Sequence, residues 1–206
     1  MVATSNCYYS TAKLIAMKKL LILLLIICAK SAFAQKDTVG LNVPFIDSTV
    51  AYERVFGAPN APKNLLYSNA GLWFAETHPY GGITQLQLQD PVLSRVAGRV
   101  TASSRESYKV LWQTNYYSLT YNFTVQVDCK NGKYRVRIYN IQDVEAGYQT
   151  PVDDLMHSLI KSKSYSITNT YTLNKSELKR RFKTLNTVVD GVMADIANSI
   201  LVDNSF

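Results

Sequence analysis

Four arginines, Arg95, Arg99, Arg135 and Arg137, are the clearest candidates for binding chemistry in this 206-residue chain. Polar and apolar residues alternate around them, which predicts strands with one face toward water and places all four side chains on that face. Guanidinium groups bind phosphate, sulfate and carboxylate through paired hydrogen bonds, so these arginines could seat an acidic glycan or an anionic lipid headgroup. The alternative is that they only keep an exposed sheet soluble and discourage edge pairing.

Candidates for catalysis are few. The chain has two histidines, His78 and His157, and His157 follows Asp153 by four residues and Asp154 by three. On a helix this spacing puts a carboxylate and an imidazole on one face, but a metal site needs a third ligand, and a solvated helix face is the simpler interpretation. The sequence contains no nucleophile elbow and no phosphate-binding loop. We therefore assign no catalytic residue, no metal ligand and no cofactor.

Residues 1–34 have the pattern of a secretory signal peptide. Lysines 18 and 19 precede an apolar run over 20–29, and the small residues of Ala32-Phe33-Ala34 predict cleavage after Ala34. Because Met17 stands at the start of this pattern, we predict that it is the initiator. The apolar run is about half the ~20 residues that a membrane span needs, which predicts no transmembrane segment in the mature chain.

The signal also predicts the compartment, which is the periplasm or the extracellular space. A lipid anchor at Cys28 is the weaker alternative, because bulky Ile27 stands where that signal requires a small residue. After cleavage, residues 35–48 would form an N-terminal arm and residues 49–206 a single domain, long enough to bury a substantial core. Cys129 would be the remaining cysteine, and its apolar strand neighbours predict a buried thiol.

Cleavage also changes the charge. The whole chain has 22 basic and 15 acidic residues, and residues 1–34 contain four lysines and no acid. The mature chain would therefore carry 18 basic and 15 acidic side chains, a net charge of +3. This balance removes the support for a nucleic-acid partner.

The strongest structural pattern lies between residues 117 and 141. Odd positions from Leu119 to Cys129 are apolar and even positions are polar, which predicts a strand with one wet face. Asn131-Gly132 predicts a tight type I′ hairpin turn, which requires positive φ at both residues. That turn sets these facing pairs: Cys129 with Tyr134, Val127 with Val136, Val125 with Ile138, Asp128 with Arg135, and Gln126 with Arg137.

Three helices and three further strands complete the predicted fold. The helices are residues 62–77, a short one after Pro151, and a long one capped by Asn174. The long helix has this apolar stripe: Leu178, Phe182, Leu185, Val189, Val192, Ile196, Ile200. The strands are 50–56, 83–89 and 95–101, with 103–109 as a loop. We expect an α+β domain with a single antiparallel β-sheet of about five strands and helices packed on one face.

The segments KNGKYRVRI, NLLYSNAGLWFAET and LQLQD, behind a signal peptide, resemble a family of secreted Bacteroidetes proteins. That family is described as a domain of unknown function (4468) with a TBP-like fold, named after the TATA-binding protein. The resemblance covers about residues 50–141 and implies a curved sheet with two helices on its convex side. It implies no catalytic residue.

The TBP-like fold does not by itself imply DNA binding. DNA-bending sheets of that type insert apolar wedges into the minor groove, whereas the predicted open face here is polar apart from Tyr139 and Ile141. We expect a non-catalytic binding or assembly module whose partner is an envelope protein, a glycan or an anionic lipid, and no nucleic acid. The alternative is a cofactor-free hydrolase of an envelope polymer, which would need a deep pocket that contains two carboxylates or one of the histidines.

Overall fold

The computed structural model describes residues 41–76, 83–110, 112–168 and 171–201. Residues 1–34 with the predicted cleavage site at Ala34, residues 35–40 of the predicted arm, and His78 lie outside this part of the chain. The strands are β1 (Phe45–Ile46), β2 (Thr49–Val50), β3 (Tyr52–Gly57), β4 (Ile83–Asp90), β5 (Arg95–Val110), β6 (Gln113–Lys130), β7 (Lys133–Glu145), β8 (Tyr148–Pro151), β9 (Tyr165–Ser166) and β10 (Thr172–Leu173). The helices are α1 (Lys63–Trp73), α2 (Val152–Ile160) and α3 (Lys175–Ile200).

The α+β class and the antiparallel sheet with helices on one face are confirmed. The main sheet has six strands instead of about five, in the order β3-β7-β6-β5-β4, and β8 pairs with the far end of β7. All three helices contact the sheet or one another on the apolar side, where α1 and α3 lie over β5 and β6. The opposite side carries the alternate, polar residues and forms what we call the open face.

The β6–β7 hairpin has the predicted register from Lys130 and Lys133 to Thr124 and Tyr139. The type I′ turn was wrong, because only Gly132 of the two turn residues has positive φ (+75°). Asn131 serves another element, since its side-chain oxygen accepts a hydrogen bond of 2.9 Å from the first backbone N–H of α1, at Lys63. The turn is also tied to the preceding loop, where Ala58 N donates to Gly132 O over 2.8 Å. Its geometry is therefore set by docking onto the start of α1.

A β-bulge interrupts the pairing farther along β7. Thr124 still faces Tyr139, but Asn122 faces Gln142, so Asn140 and Ile141 together oppose a single residue of β6. Asn140 takes the extra position with φ of +52°. An extra residue reverses the side to which every later side chain points. Ile141 is consequently buried, and its predicted place on the open face was wrong.

The predicted loop at 103–109 was also wrong, because β5 continues to Val110 as a strand. Beyond Thr101, where the pairing with β4 ends, the described residues of β5 pair with β6 alone and form a two-stranded ribbon. Its polar residues bond across the two strands, as Ser103 Oγ does with Thr120 Oγ1 at 2.9 Å. Glu106 fastens the ribbon to α3 by accepting a 2.9 Å hydrogen bond from Thr184 Oγ1.

The long helix α3 closes the apolar side as predicted. All seven residues of its stripe are buried, and Asn174 caps its start by accepting a 3.0 Å hydrogen bond from Glu177 N. Polar contacts fix α1 against it, because the Trp73 indole N–H donates to Asp195 over 2.7 Å and the Asn69 amide donates to Ile200 O over 3.0 Å. None of the described helices is long and apolar enough to cross a membrane.

A glycine allows the close packing beneath the sheet. A Cβ on Gly98 would lie 2.6 Å from the ring of Phe74, so a larger residue there would push α1 off the sheet.

Cys129 is buried, as predicted, and burial raises the pKa of its thiol to about 12. The described part of the predicted arm, residues 41–48, is packed too: Val43 is buried, and the Asn186 amide donates to Leu41 O.

Candidate functional site

The four predicted arginines lie on the open face, but two of them share a carboxylate. Arg95 Nε donates to Asp128 Oδ1 over 2.5 Å, and Arg135 Nη2 donates to Asp128 Oδ2 over 2.8 Å. Partial burial acts to raise the pKa of Asp128, but hydrogen bonds from Arg95, Arg135 and Gln126 outweigh it and leave the pKa below its ordinary value. This end of the open face therefore holds an ionised carboxylate between two guanidinium groups.

The other two arginines have weaker partners. Arg137 Nε lies 3.2 Å from Glu53 Oε2, and its guanidinium carbon lies 5.6 Å from the centre of the Tyr139 ring. Arg99 Nη2 donates to the neutral side-chain oxygen of Gln142 over 2.7 Å. Arg99 and Arg137 are two strands apart and offset by two residues along the strands, which puts their backbones roughly 12 Å from each other across the face.

The sum of these charges is positive. The four arginines and the two carboxylates that they contact, Asp128 and Glu53, sum to a formal charge of +2. The sequence located the arginines correctly, and their use as an anion seat stays a prediction. The guanidinium N–H groups with the weakest partners are those of Arg99 and Arg137.

A second cluster, which the sequence did not predict, lies on the helix side around Arg181 of α3. Arg181 is only 2% exposed, and its guanidinium donates to Asp143 and to Glu145. Its Nε lies 3.4 Å from Glu177 Oε1, and its Nη2 lies 3.3 Å from the Tyr171 hydroxyl. A buried guanidinium is costly unless such partners compensate its charge.

This cluster lines a cleft of about 380 Å³, which we call the Arg181 cleft. Besides Arg181, its walls are Tyr117, Glu145, Tyr171, Glu177 and Arg180. The Arg180 guanidinium covers the Tyr117 ring at 4.3 Å from the ring centre and pairs with Glu177. The cleft therefore combines aromatic walls with charged groups of both signs.

The carboxylates outnumber the guanidinium groups here. Three carboxylates, those of Asp143, Glu145 and Glu177, pair with Arg180 and Arg181, and full ionisation leaves a formal charge of −1. Burial raises the pKa of Asp143, and the attraction of Arg181 only partly offsets it. Burial likewise raises the pKa of the Tyr171 phenol.

The bulge at Asn140 explains why the sequence did not reveal the cleft. With the unbroken alternation of the hairpin, Asp143 and Glu145 would point to the open face, and the extra residue turns both toward α3. One sequence signal did exist. Arg181 stands three residues after Leu178 and next to Phe182, which places a charge on the buried side of the helix.

Asp153 and His157, which the sequence offered as a weak metal site, make other contacts in the structure. Asp153 Oδ1 accepts a 2.6 Å hydrogen bond from Val50 N, and the His157 ring packs edge-on against Phe45 with 5.2 Å between ring centres. Within the described residues, no group of three or more His, Cys, Asp or Glu side chains is placed to hold a metal ion. In the Arg181 cleft, Glu145 and Glu177 both pair with one guanidinium.

Comparison with known proteins agrees with this architecture. Residues 52–143 match the family described as a domain of unknown function (DUF4468) with TBP-like fold. The crystal structure of a DUF4468 family protein from Bacteroides ovatus is similar, with 18% identity, a TM-score of 0.57, and coverage of 82% of this chain and 95% of that one. A TBP-like protein from Parabacteroides distasonis is similar at 12% identity with a TM-score of 0.51, covering 77% of this chain and 96% of that one.

The search of curated proteins found no match. At these identities the two crystal structures establish the fold alone. The matched segment runs from the first residue of β3 to Asp143, so it includes the hairpin, the bulge and all four arginines of the open face. Residues 52–143 therefore resemble the DUF4468 family, and the chain shares the TBP-like fold of these two structures.

Proposed function

We propose that this protein is a non-catalytic binding module that acts after export, in the periplasm or outside the cell. Its open face contacts an anionic group of an envelope component, which is an anionic lipid, an acidic glycan or an envelope protein. The observation that carries the proposal is a cluster of four arginines and two carboxylates, with a formal charge of +2, on the sheet face that lies opposite the helices. Cationic surfaces of this kind attract anionic partners and speed their association.

Arg99 and Arg137 are the residues that would make the contact. Arg95 and Arg135 hold Asp128 at 2.5 and 2.8 Å. Arg99 has a neutral partner, and Arg137 has the longer contact of 3.2 Å with Glu53. A polymer with repeated sulfate, phosphate or carboxylate groups could bridge the roughly 12 Å between the two arginines. Tyr139 lies beside Arg137 and offers a ring for the body of such a ligand.

The test is binding of the mature chain, residues 35–206, to defined anionic surfaces. Phosphatidylglycerol vesicles and heparin serve as probes, with phosphatidylcholine vesicles and dextran as their neutral counterparts. We expect salt-sensitive binding to at least one anionic probe, weakened about tenfold or more in the double variant Arg99→Gln/Arg137→Gln.

The matched control is Arg54→Gln/Lys183→Gln, which removes the same charge from exposed positions off the open face, on β3 and α3. Binding of the control variant should equal that of the unmodified chain. The proposal fails if neither anionic probe binds, or if both double variants weaken binding equally.

Export is tested separately. We expect the full chain, expressed in a Bacteroides host, to be recovered from the periplasm or the medium with Gln35 as its first residue. Recovery of an uncleaved chain from the cytoplasm would contradict this part of the proposal.

A further inference from the structure

The Arg181 cleft continues into a second, less polar cleft. That neighbour has a volume of about 370 Å³ and shares Glu145 and Tyr171 with the first. Its other walls are Ala146, Tyr148, Ile167 and Thr168. One carboxylate and one aromatic ring thus stand where a charged cleft meets a mostly apolar one.

The groups at this junction are accessible. The side chain of Glu145 is 33% exposed and that of Glu177 is 22% exposed, although both also contact Arg181. Tyr148 is 53% exposed and Tyr171 is 40% exposed. A carboxylate has about four acceptor positions, so contacts with guanidinium groups still leave room for another donor.

The net charge of the cleft determines whether an anionic or a cationic ligand fits there. With a formal charge of −1 on the ion pairs of the Arg181 cleft, an added anion would be repelled and an added cation attracted. Exposed tyrosine rings stabilise a neighbouring cation through their faces and pack against apolar or sugar-like bodies. Each cleft is within the size range of small-molecule sites, about 300 to 1,000 Å³.

We propose that the junction of the two clefts binds a primary ammonium group carried on a short apolar or ring-shaped body. The ammonium group donates to Glu145 and Glu177, and the body lies between Tyr171 and Tyr148. An amino sugar and a lysine side chain share this chemistry. This site is on the helix side of the sheet and is independent of the anion contact proposed for the open face.

The test is calorimetric titration of the mature chain with two pairs of probes. Glucosamine is compared with N-acetylglucosamine, and Nα-acetyl-lysine methylamide with its Nε-acetylated form, because acetylation removes the positive charge. We expect saturable binding of at least one amine and none of its acetylated partner. The amine that binds identifies the source as a sugar or a peptide.

Two variants locate the binding. Glu145→Gln keeps the side-chain shape and leaves Arg181 its contacts with Asp143 and Glu177, and it should weaken amine binding about tenfold or more. Tyr148→Ala removes an exposed ring without opening the core, so it tests the second cleft even if Glu145→Gln folds poorly. The matched control is Glu53→Gln, which removes one carboxylate from the open face and should leave amine binding unchanged.

Three outcomes overturn the inference. They are the lack of saturable binding by either amine, equal binding of an acetylated probe, and amine binding that neither Glu145→Gln nor Tyr148→Ala weakens. None of these results bears on the open face, which is tested with anionic probes and with Arg99→Gln/Arg137→Gln.

Discussion

The two sides of the sheet use arginine in opposite ways. On the open face, half-exposed arginines surround Asp128 and Glu53 and leave a charge of +2. On the helix side, the buried Arg181 is enclosed by carboxylates, and these ion pairs together with Arg180 carry a charge of −1. Arginine therefore makes weak ion pairs that water screens on the open face, and strong ion pairs that are shielded from water on the helix side.

The largest expected effect is the loss of the buried arginine. Arg181→Met leaves Asp143 and Glu145 on the helix side without their guanidinium partner, which should lower the free energy of unfolding by about 3 to 5 kcal/mol. Arg135→Met on the open face should lower it by no more than about 1 kcal/mol. Urea denaturation of both variants measures the difference. Equal destabilisation would show that the two clusters do not differ as burial implies.

The two aspartates should give opposite responses to pH. The pKa of Asp128 is lowered, so the stability that it contributes is present above its unfolded-state pKa and is lost as the pH falls through its folded-state pKa. The pKa of Asp143 is raised, so its contribution is fully present below its unfolded-state pKa and is lost as the pH rises through its folded-state pKa.

Replacing each aspartate by asparagine isolates these contributions. Relative to Asp128→Asn, the unmodified chain should lose stability on acidification from about pH 7 to about pH 3. Relative to Asp143→Asn, it should gain stability over the same range. Urea denaturation at several pH values measures both differences, and slopes of the same sign would contradict the assigned directions of the pKa shifts.

The bulge that separates the two clusters is open to a direct test. Asn140 has φ of +52°, a conformation that is unfavourable for β-branched residues. Asn140→Val should therefore destabilise the protein by about 1 to 2 kcal/mol, whereas Asn140→Gly should be neutral or slightly stabilising. Thermal unfolding of both variants measures the effect. Equal stability of the valine and glycine variants would mean that positive φ at this residue does not maintain the bulge.

The sequence predicted those features that depend on local periodicity. The alternation from Leu119 to Cys129 gave the hairpin register, and the spacing from Leu178 to Ile200 gave the buried stripe of α3. Each pattern extends over many residues, so a single exception does not hide it. The α+β class follows from these two elements, because an apolar sheet face needs a helical cover.

The features that the sequence missed depend on one residue or on distant partners. A single extra residue at Asn140 reverses the alternation, and no local pattern marks it. The ribbon residues from Ser103 onward are polar on both sides, so they resemble a loop until their pairing with β6 is known. The pairing of Arg181 with Asp143 joins residues 38 positions apart, which no periodicity reports.

The smallest expected effect concerns an exposed ion pair. In a double-mutant cycle of Glu53→Gln and Arg137→Gln, the coupling energy should be about 0.2 to 1 kcal/mol. It should fall toward zero in about 1 M salt, where screening acts over about 3 Å. A cycle of Glu145→Gln and Arg181→Met should give a larger coupling energy that depends less on salt, because Arg181 is shielded from water. If both cycles gave the same salt dependence, solvent would reach the two clusters equally, and the difference between the two sides of the sheet would lie in charge alone.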